Sequence, residues 1–343
     1  MNKTLLGAAV GLALSSGAAQ AALIDFDGTG AAVGTLDVVA VDWSPTSFLA
    51  LGGQTAINNF IAGFGPTTFD VLTHASLATE VTLADESTTN VPGLNSSYQI
   101  TMVARFQETV TSVVGSRASF ATTGAGGFLE IYFDSTPDSV AVSGSGFNDG
   151  QLILRGTIVP AGITGGFEVL GGPVVLDQSG GNNYGFGIVA PFSQLTVTGR
   201  GDNENLEVGG LTQDFDFFKD TLASFGLSFA NISLALPFVS VNPSDCFTGV
   251  SSGIAIGAST AAYDCTPVHA DAPYAGQGAD GLGGIVPVVG PVNGFLALAS
   301  IAPDFVAQTD YNGSFTAAVP EPTTIALLGL SLAAMGFKQR RRG

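Results

Sequence analysis

The chain has 343 residues, of which 45% are hydrophobic and 11% are charged, and it contains 47 glycines. This much apolar surface excludes an intrinsically disordered chain, because disordered segments lack the hydrophobic residues that offset the entropy cost of ordering. The net charge of −18 excludes a nucleic-acid-binding surface, since acidic surfaces repel phosphate backbones and attract divalent cations.

The first 21 residues have the three parts of a secretory signal peptide. Lys3 supplies the positive charge, residues 5–14 are apolar, and Ala19-Gln20-Ala21 places small residues at a cleavage site. We therefore predict that residues 1–21 are removed and that residues 22–318 form one exported domain. All 28 acidic residues except Glu321 lie in this domain, against five basic residues, so its net charge is about −22.

Strand patterns dominate the exported domain. Runs of β-branched and aromatic residues with partial alternation, bounded by turn residues, are typical of strands. The predicted strands lie at residues 98–114, 127–134, 139–143, 151–159, 194–198, 205–208, 227–241, 294–301 and 305–315. Asn148-Asp149-Gly150 indicates a hairpin turn between two of these runs. The recurring turns favour an all-β fold, as a β-sandwich or jelly roll, over βαβ units.

Two segments predict short helices that pack on the sheet. Residues 46–62 and residues 214–225 place apolar side chains at near-helical intervals. Just before the first segment, the single tryptophan, Trp43, is followed by Ser44-Pro45, which predicts the end of a strand. We interpret Trp43 as a core residue, and the alternative is an exposed tryptophan that stacks on sugar rings.

Cys246 and Cys265 are the two cysteines of the chain. Export places them in an oxidising compartment, so we predict one disulfide that closes a loop of about 20 residues. Such a bridge contributes about 3 kcal/mol by restricting the unfolded chain. No Cys-x-x-Cys motif is present, and His269 is the only histidine nearby, so the cysteines do not indicate a metal site.

The segment Gly249-Val250-Ser251-Ser252-Gly253 fits the Gly-x-Ser-x-Gly pattern of a nucleophile elbow. That elbow needs a strand before it and a helix after it, whereas residues 254–260 have the pattern of a strand. We therefore predict no catalytic residues and no enzymatic activity at this position.

One loop has the oxygen-rich side chains that calcium prefers: Asp202, Asn203, Glu204 and Glu207. Calcium takes roughly six to eight oxygen ligands, so four side chains could begin a site. The spacing does not match an EF-hand loop, and an ordinary polar hairpin tip is the alternative. Apart from calcium, we predict no cofactor.

The last 25 residues, 319–343, carry three parts in a fixed order. Val319-Pro320-Glu321-Pro322 is followed by an apolar run to residue 337, and then by a basic tail that consists of Lys338, Arg340, Arg341 and Arg342. The apolar run partitions into lipid, and the basic tail stays on the cytoplasmic side. Residues 323–337 are fewer than the roughly 17–25 that a stable span needs, which favours a temporary hold over a permanent anchor.

This arrangement resembles the PEP-CTERM sorting domain of bacteria that export proteins into an exopolysaccharide matrix. Pro320, Glu321 and Pro322 match the motif of that family residue by residue. The resemblance implies transient insertion of a C-terminal hydrophobic helix into the inner membrane. It also implies processing by an exosortase, a membrane enzyme.

Two internal segments resemble the flocculation-associated subgroup of these proteins. They are Asp42-Trp43-Ser44-Pro45 and residues 304–315, which precede the Pro-Glu-Pro motif. The resemblance implies a non-enzymatic protein that holds cells together in flocs or biofilm, in association with exopolysaccharide at the cell surface or in the matrix. The alternative is a carbohydrate-active enzyme delivered by the same tail, because paired carboxylates for glycoside hydrolysis are available.

Overall fold

The computed structural model describes residues 21–30, 35–123, 126–139, 145–160, 164–175, 195–201, 204–229, 236–237, 249–259 and 305–318. Outside these residues lie residues 1–20 of the predicted signal peptide, both cysteines, residues 140–143 of the predicted strand at 139–143, the predicted strand at 294–301 and the C-terminal sorting segment. Within them, the chain forms fourteen strands and one α-helix.

The elements follow one another with short turns in the first half of the chain. The helix α1 spans Gly53–Ala62. The strands are β1 (Ala22–Asp25), β2 (Thr35–Leu51), β3 (Thr68–Leu83), β4 (Thr88–Asn90), β5 (Gln99–Val114), β6 (Arg117–Thr122), β7 (Phe128–Asp134), β8 (Gln151–Val159), β9 (Thr164–Val175), β10 (Leu195–Gly201), β11 (Glu204–Gln213), β12 (Leu222–Phe229), β13 (Leu236–Pro237) and β14 (Phe305–Ala317).

Eight of the strands close into an antiparallel barrel. Their order around the ring is β5-β7-β8-β11-β12-β14-β2-β3, and β3 pairs with β5 to complete it. Closure gives every ring strand two neighbours, which removes the exposed edges of an open sheet. The prediction of an all-β domain with a short helix is therefore confirmed, whereas the predicted sandwich or jelly-roll form is not.

The sheet forks at β5, the long strand that belongs to both parts. The first half of β5 pairs with β7, and the second half pairs with β6. From there β6, β9, β10 and β13 continue as an extension outside the ring. Two short strands add to the ring at other places, β1 beside β2 and β4 beside β3.

The centre of the barrel is filled by large apolar side chains. Trp43 from β2, Ile100 from β5, Ile131 from β7 and Phe315 from β14 line the same small internal cavity. Burial of each such side chain contributes about 1.5–3 kcal/mol. Trp43 is 1% exposed, so its interpretation as a core residue is confirmed.

A polar pair crosses this apolar interior. The hydroxyl of Tyr311 donates a hydrogen bond to the hydroxyl oxygen of Thr73 over 2.7 Å, and both residues are fully buried. The pair links β14 to β3 across β2, strands whose residues are more than two hundred positions apart in the chain. A hydrogen bond satisfies groups that would otherwise be costly to bury.

The helix predictions are only partly correct. The first segment contains α1, but its opening residues belong to β2, which runs on through Pro45. The ladders on both sides of β2 shift register next to Pro45, where an irregularity accommodates a residue without an N–H group. The second segment is not helical: it forms a turn and then β12. Of the residues with near-helical spacing, Phe218, Leu222 and Phe225 are buried in the barrel core, whereas Phe215 is 58% exposed.

In the described part of the chain, no helix is long and apolar enough to cross a membrane.

Candidate functional site

Three carboxylates meet between the end of β7 and the start of β8. Asp134 ends β7, Asp138 follows it, and Asp149 lies two residues before β8. One oxygen from each lies within 4.8 Å of the others. We refer to these three residues as the acidic group.

A buried glutamine holds two members of the acidic group in place. The amide nitrogen of Gln99 donates to Asp134 Oδ2 and to Asp138 Oδ1 at 3.3 Å each, and to the carbonyl oxygen of Gly146 at 3.2 Å. Its carbonyl oxygen accepts from the backbone N–H of Ser139. The two N–H donors of the Gln99 amide thus face three oxygen atoms, and Asp134 Oδ1 also accepts from the N–H of Thr136 at 2.8 Å.

The electrostatics of the acidic group reflect burial and the repulsion between its carboxylates. Burial, together with the charges of Asp149 and Asp134, raises the pKa of Asp138. Burial and the charge of Asp134 raise the pKa of Asp149, whose buried Oδ1 atom accepts no hydrogen bond. Carboxylate and carbonyl oxygens are the ligands that calcium prefers. The acidic group and the Gly146 carbonyl could therefore contribute to a divalent-cation site.

The sequence indicated only one residue of the acidic group, Asp149, as part of a turn. The Asn148-Asp149-Gly150 cue predicted a hairpin turn between residues 139–143 and β8, but residues 140–144 lie outside the described part of the chain, so the hairpin stays a prediction. Asp134 and Asp138 approach Asp149 because β7 and β8 are hydrogen-bonded neighbours, a pairing that their own sequence does not reveal. The sequence does place Asp134 at the end of one predicted strand and Asp149 just before the next, and this pattern could have indicated that the two carboxylates meet.

The predicted calcium loop is placed differently. Asp202 and Asn203 lie outside the described residues, Glu204 begins β11, and Glu207 is an exposed residue within that strand. The flanking strands β10 and β11 are not neighbours, because β10 pairs with β9 and β13 while β11 pairs with β8 and β12. The alternative of a hairpin tip is therefore wrong. Calcium binding by this loop stays a prediction.

Ser251, from the Gly-x-Ser-x-Gly pattern, fastens residues 249–259 to Glu130 of β7. Its hydroxyl donates to Glu130 Oε1 over 2.6 Å, and the neighbouring Ser252 donates to the same carboxylate. Residues 254–259 form neither a strand nor the helix that a nucleophile elbow requires. The predicted strand at this position is wrong for residues 254–259, which make a turn and only an isolated bridge between Ser259 and Gln151.

An open groove of about 490 Å³ lies beside this anchor. Asp70 and Arg105 form an ion pair within it, with 2.8 Å between Asp70 Oδ1 and Arg105 Nη2. Phe128 and Val250 contribute apolar surface. The groove combines an apolar wall with a fixed charge pair, which suits binding of a polar molecule that has an apolar face.

Comparison with known protein families finds one match, at the C-terminus. Residues 318–342 match the PEP-CTERM protein-sorting motif. The chain carries a PEP-CTERM sorting signal. Signals of this kind are recognised by exosortase membrane enzymes, so the protein is exported and transiently anchored in the membrane. The predicted sorting residues Val319, Pro320, Glu321 and Pro322 and the basic tail lie within the match. No curated protein and no solved structure matches the chain.

Proposed function

We propose that this exported protein is a non-enzymatic component of the extracellular matrix that promotes cell aggregation in association with exopolysaccharide. The PEP-CTERM sorting signal carries the proposal, because it directs the acidic barrel out of the cytoplasm. The likeness of residues 42–45 and 304–315 to flocculation-associated PEP-CTERM proteins supports the same role. Cys246 and Cys265 would form a disulfide in that oxidising compartment.

The surface chemistry supports a role for divalent cations in aggregation. An exported domain with a net charge of about −22 repels its copies and anionic polysaccharide alike. Calcium coordinates carboxylate oxygens directly, so it could bridge such surfaces, whereas sodium only screens them. Exposed carboxylates such as Glu207, and the acidic group, are available for these bridges.

The groove beside Arg105 is the feature that favours the alternative, a carbohydrate-active enzyme. Glycoside hydrolases use two carboxyl groups about 5–10 Å apart that flank the scissile bond. Asp70 is the carboxylate in the groove lining, and its Oδ1 atom is held by Arg105. This arrangement supports binding of a sugar more than hydrolysis, so we keep the matrix role as the proposal.

Deletion of the gene tests the aggregation role. We expect cell aggregates to disperse under the microscope while exopolysaccharide is still produced, because the protein links the material without making it. Complementation with the unaltered gene should restore aggregates. A matched variant in which Pro320, Glu321 and Pro322 are replaced by alanine should not, since the barrel is unchanged but its sorting is lost. Aggregates that persist in the deletion strain would contradict the proposal.

Light scattering of the purified exported protein tests calcium bridging. At matched ionic strength, we expect association in calcium chloride at concentrations where sodium chloride gives none. Chelation should reverse it. Identical association curves in the two salts would mean that the charges act by screening alone, and the matrix role would then depend on sugar contact or protein packing.

A further inference from the structure

The loop that follows β1 brings two carboxylates, Asp25 and Asp27, close together. Residues 25–30 read Asp-Phe-Asp-Gly-Thr-Gly, which places oxygen-bearing side chains at the first, third and fifth positions and glycine at the sixth. This spacing matches the first half of a calcium loop, in which glycine allows a sharp turn. Residue 36, where such a loop has its glutamate, is leucine, so the remaining ligands must come from elsewhere.

The backbone of this loop has the conformation that the spacing requires. Gly30 has φ of +73°, and its N–H donates to Asp25 Oδ2 over 2.7 Å. Gly28 has φ of +64° and packs against Phe217, whose ring would lie 2.5 Å from an added Cβ atom. Asp27 Oδ1 accepts hydrogen bonds from the N–H and the hydroxyl of Thr29. The turn therefore gathers the carboxylates of Asp25 and Asp27 on one side.

Asp25 has an oxygen atom without a partner. The residue is fully buried, and although Oδ2 accepts from Gly30, the buried Oδ1 atom accepts no hydrogen bond. An unpaired buried carboxylate oxygen is costly unless a proton or a cation binds it. Asp27 lies two residues further along the same turn, where Thr29 holds its Oδ1 atom by two hydrogen bonds. The two carboxylates lie next to each other, so their negative charges favour binding of a cation between them.

A cation already lies at this position. The ammonium group of Lys219 lies 3.3 Å from Asp25 Oδ2 and donates to the carbonyl oxygen of Asp216 over 2.6 Å. The Lys219 side chain is 27% exposed, so it can rotate into solvent without crossing the core. One ammonium leaves the two carboxylates with a local charge of −1, whereas one divalent ion neutralises both.

We propose that this loop binds a calcium ion through the carboxylates of Asp25 and Asp27 and the carbonyl oxygen of Asp216, with water completing the coordination. In the absence of calcium, the Lys219 ammonium occupies the cation position, and calcium displaces it. The ion would tie β1 and its loop to the segment before β12. This site lies within one molecule and does not depend on the proposed role in aggregation.

Terbium luminescence provides the test, because Tb³⁺ resembles Ca²⁺ in size and oxygen preference and is excited through a nearby tyrosine. Tyr98 packs on Phe133, which packs on Phe217, and Phe217 contacts Gly28 of the loop, so Tyr98 lies near the proposed site. The measurements are made on the exported protein with Asp149→Asn in every variant, so that the acidic group contributes little. We expect saturable luminescence that calcium abolishes.

Three variants decide the assignment. Asp27→Asn keeps the Asp25–Lys219 ion pair and should weaken terbium binding about tenfold or more, since ligand charge sets affinity in such sites. Lys219→Met removes the competing ammonium and should tighten binding. Asp85→Asn is the matched control, because Asp85 makes the same turn with Ser87 on an exposed loop, and it should change nothing. Equal affinity in Asp27→Asn and Asp85→Asn, or weaker binding in Lys219→Met, would overturn the proposal.

Discussion

Glu130 offers the sharpest test of how residues 249–259 are held on the barrel. Its side chain is 1% exposed and accepts hydrogen bonds from four residues. Oε2 accepts from the Tyr132 hydroxyl at 2.5 Å and from the Ser252 N–H at 3.2 Å. Oε1 accepts from Arg155 Nε at 2.7 Å and from the hydroxyls of Ser251 and Ser252 at 2.6 and 3.2 Å. Glu130→Gln keeps the size and removes the charge.

The expected cost follows from burial and from the number of donors. Breaking a buried ion pair costs about 3–5 kcal/mol, because the partner is left without compensation. Arg155 is 26% exposed and keeps its bonds to Ile254 and Ser252, which reduces the loss. Hydrogen bonds to a charged group contribute about 1.5–3 kcal/mol, more than neutral ones. We therefore expect Glu130→Gln to lower the free energy of unfolding by about 3 kcal/mol.

Asp70→Asn is the matched control. The Asp70–Arg105 pair has nearly the same separation, 2.8 Å, but its side chains are 27% and 24% exposed. Pairs exposed to solvent contribute about 0–1 kcal/mol. Urea unfolding measures both variants, and limited proteolysis with mass spectrometry reports release of residues 249–259, which only Glu130→Gln should cause. If both variants lose the same free energy, burial does not distinguish the pairs and the reasoning is wrong.

Three further predictions concern processing, the disulfide and pH. Intact-mass analysis of cell-surface material should find a protein that starts at Ala22 and lacks the tail from about Pro322; a retained basic tail would contradict this. Non-reducing peptide mapping should link Cys246 to Cys265, and free thiols at both would refute it. Asp149→Asn should stabilise the fold at pH 7, because the raised pKa of Asp149 means that its ionised form disfavours folding. In urea unfolding, this gain should disappear as the pH falls below 3.8, the ordinary pKa, where the carboxyl is neutral in both states; a gain that persists there would show a cause other than charge.

The sequence by itself determined the export of the protein and the type of its elements. The order of motif, apolar run and basic tail is a local pattern, and it identified the sorting signal that the family comparison confirms. Strand propensity and alternation are also local, so residues 99–114, 128–134, 151–159 and 305–317 were found almost to their ends. The acidic charge and the core character of Trp43 also followed from composition and local pattern.

Only the tertiary structure decided which strands are neighbours, and with them the sites. Closure of the ring depends on β14 pairing with β2 across most of the chain, and no local pattern encodes that contact. Phe218, Leu222 and Phe225 are spaced as on a helix, but they lie in a turn and in β12, where the barrel buries them. The carboxylates of Asp134, Asp138 and Asp149 meet because β7 pairs with β8. Lys219 reaches Asp25 because the turn before β12 packs on β1. Both candidate cation sites combine oxygen atoms from segments that are separated in the sequence, so residue spacing alone does not reveal them.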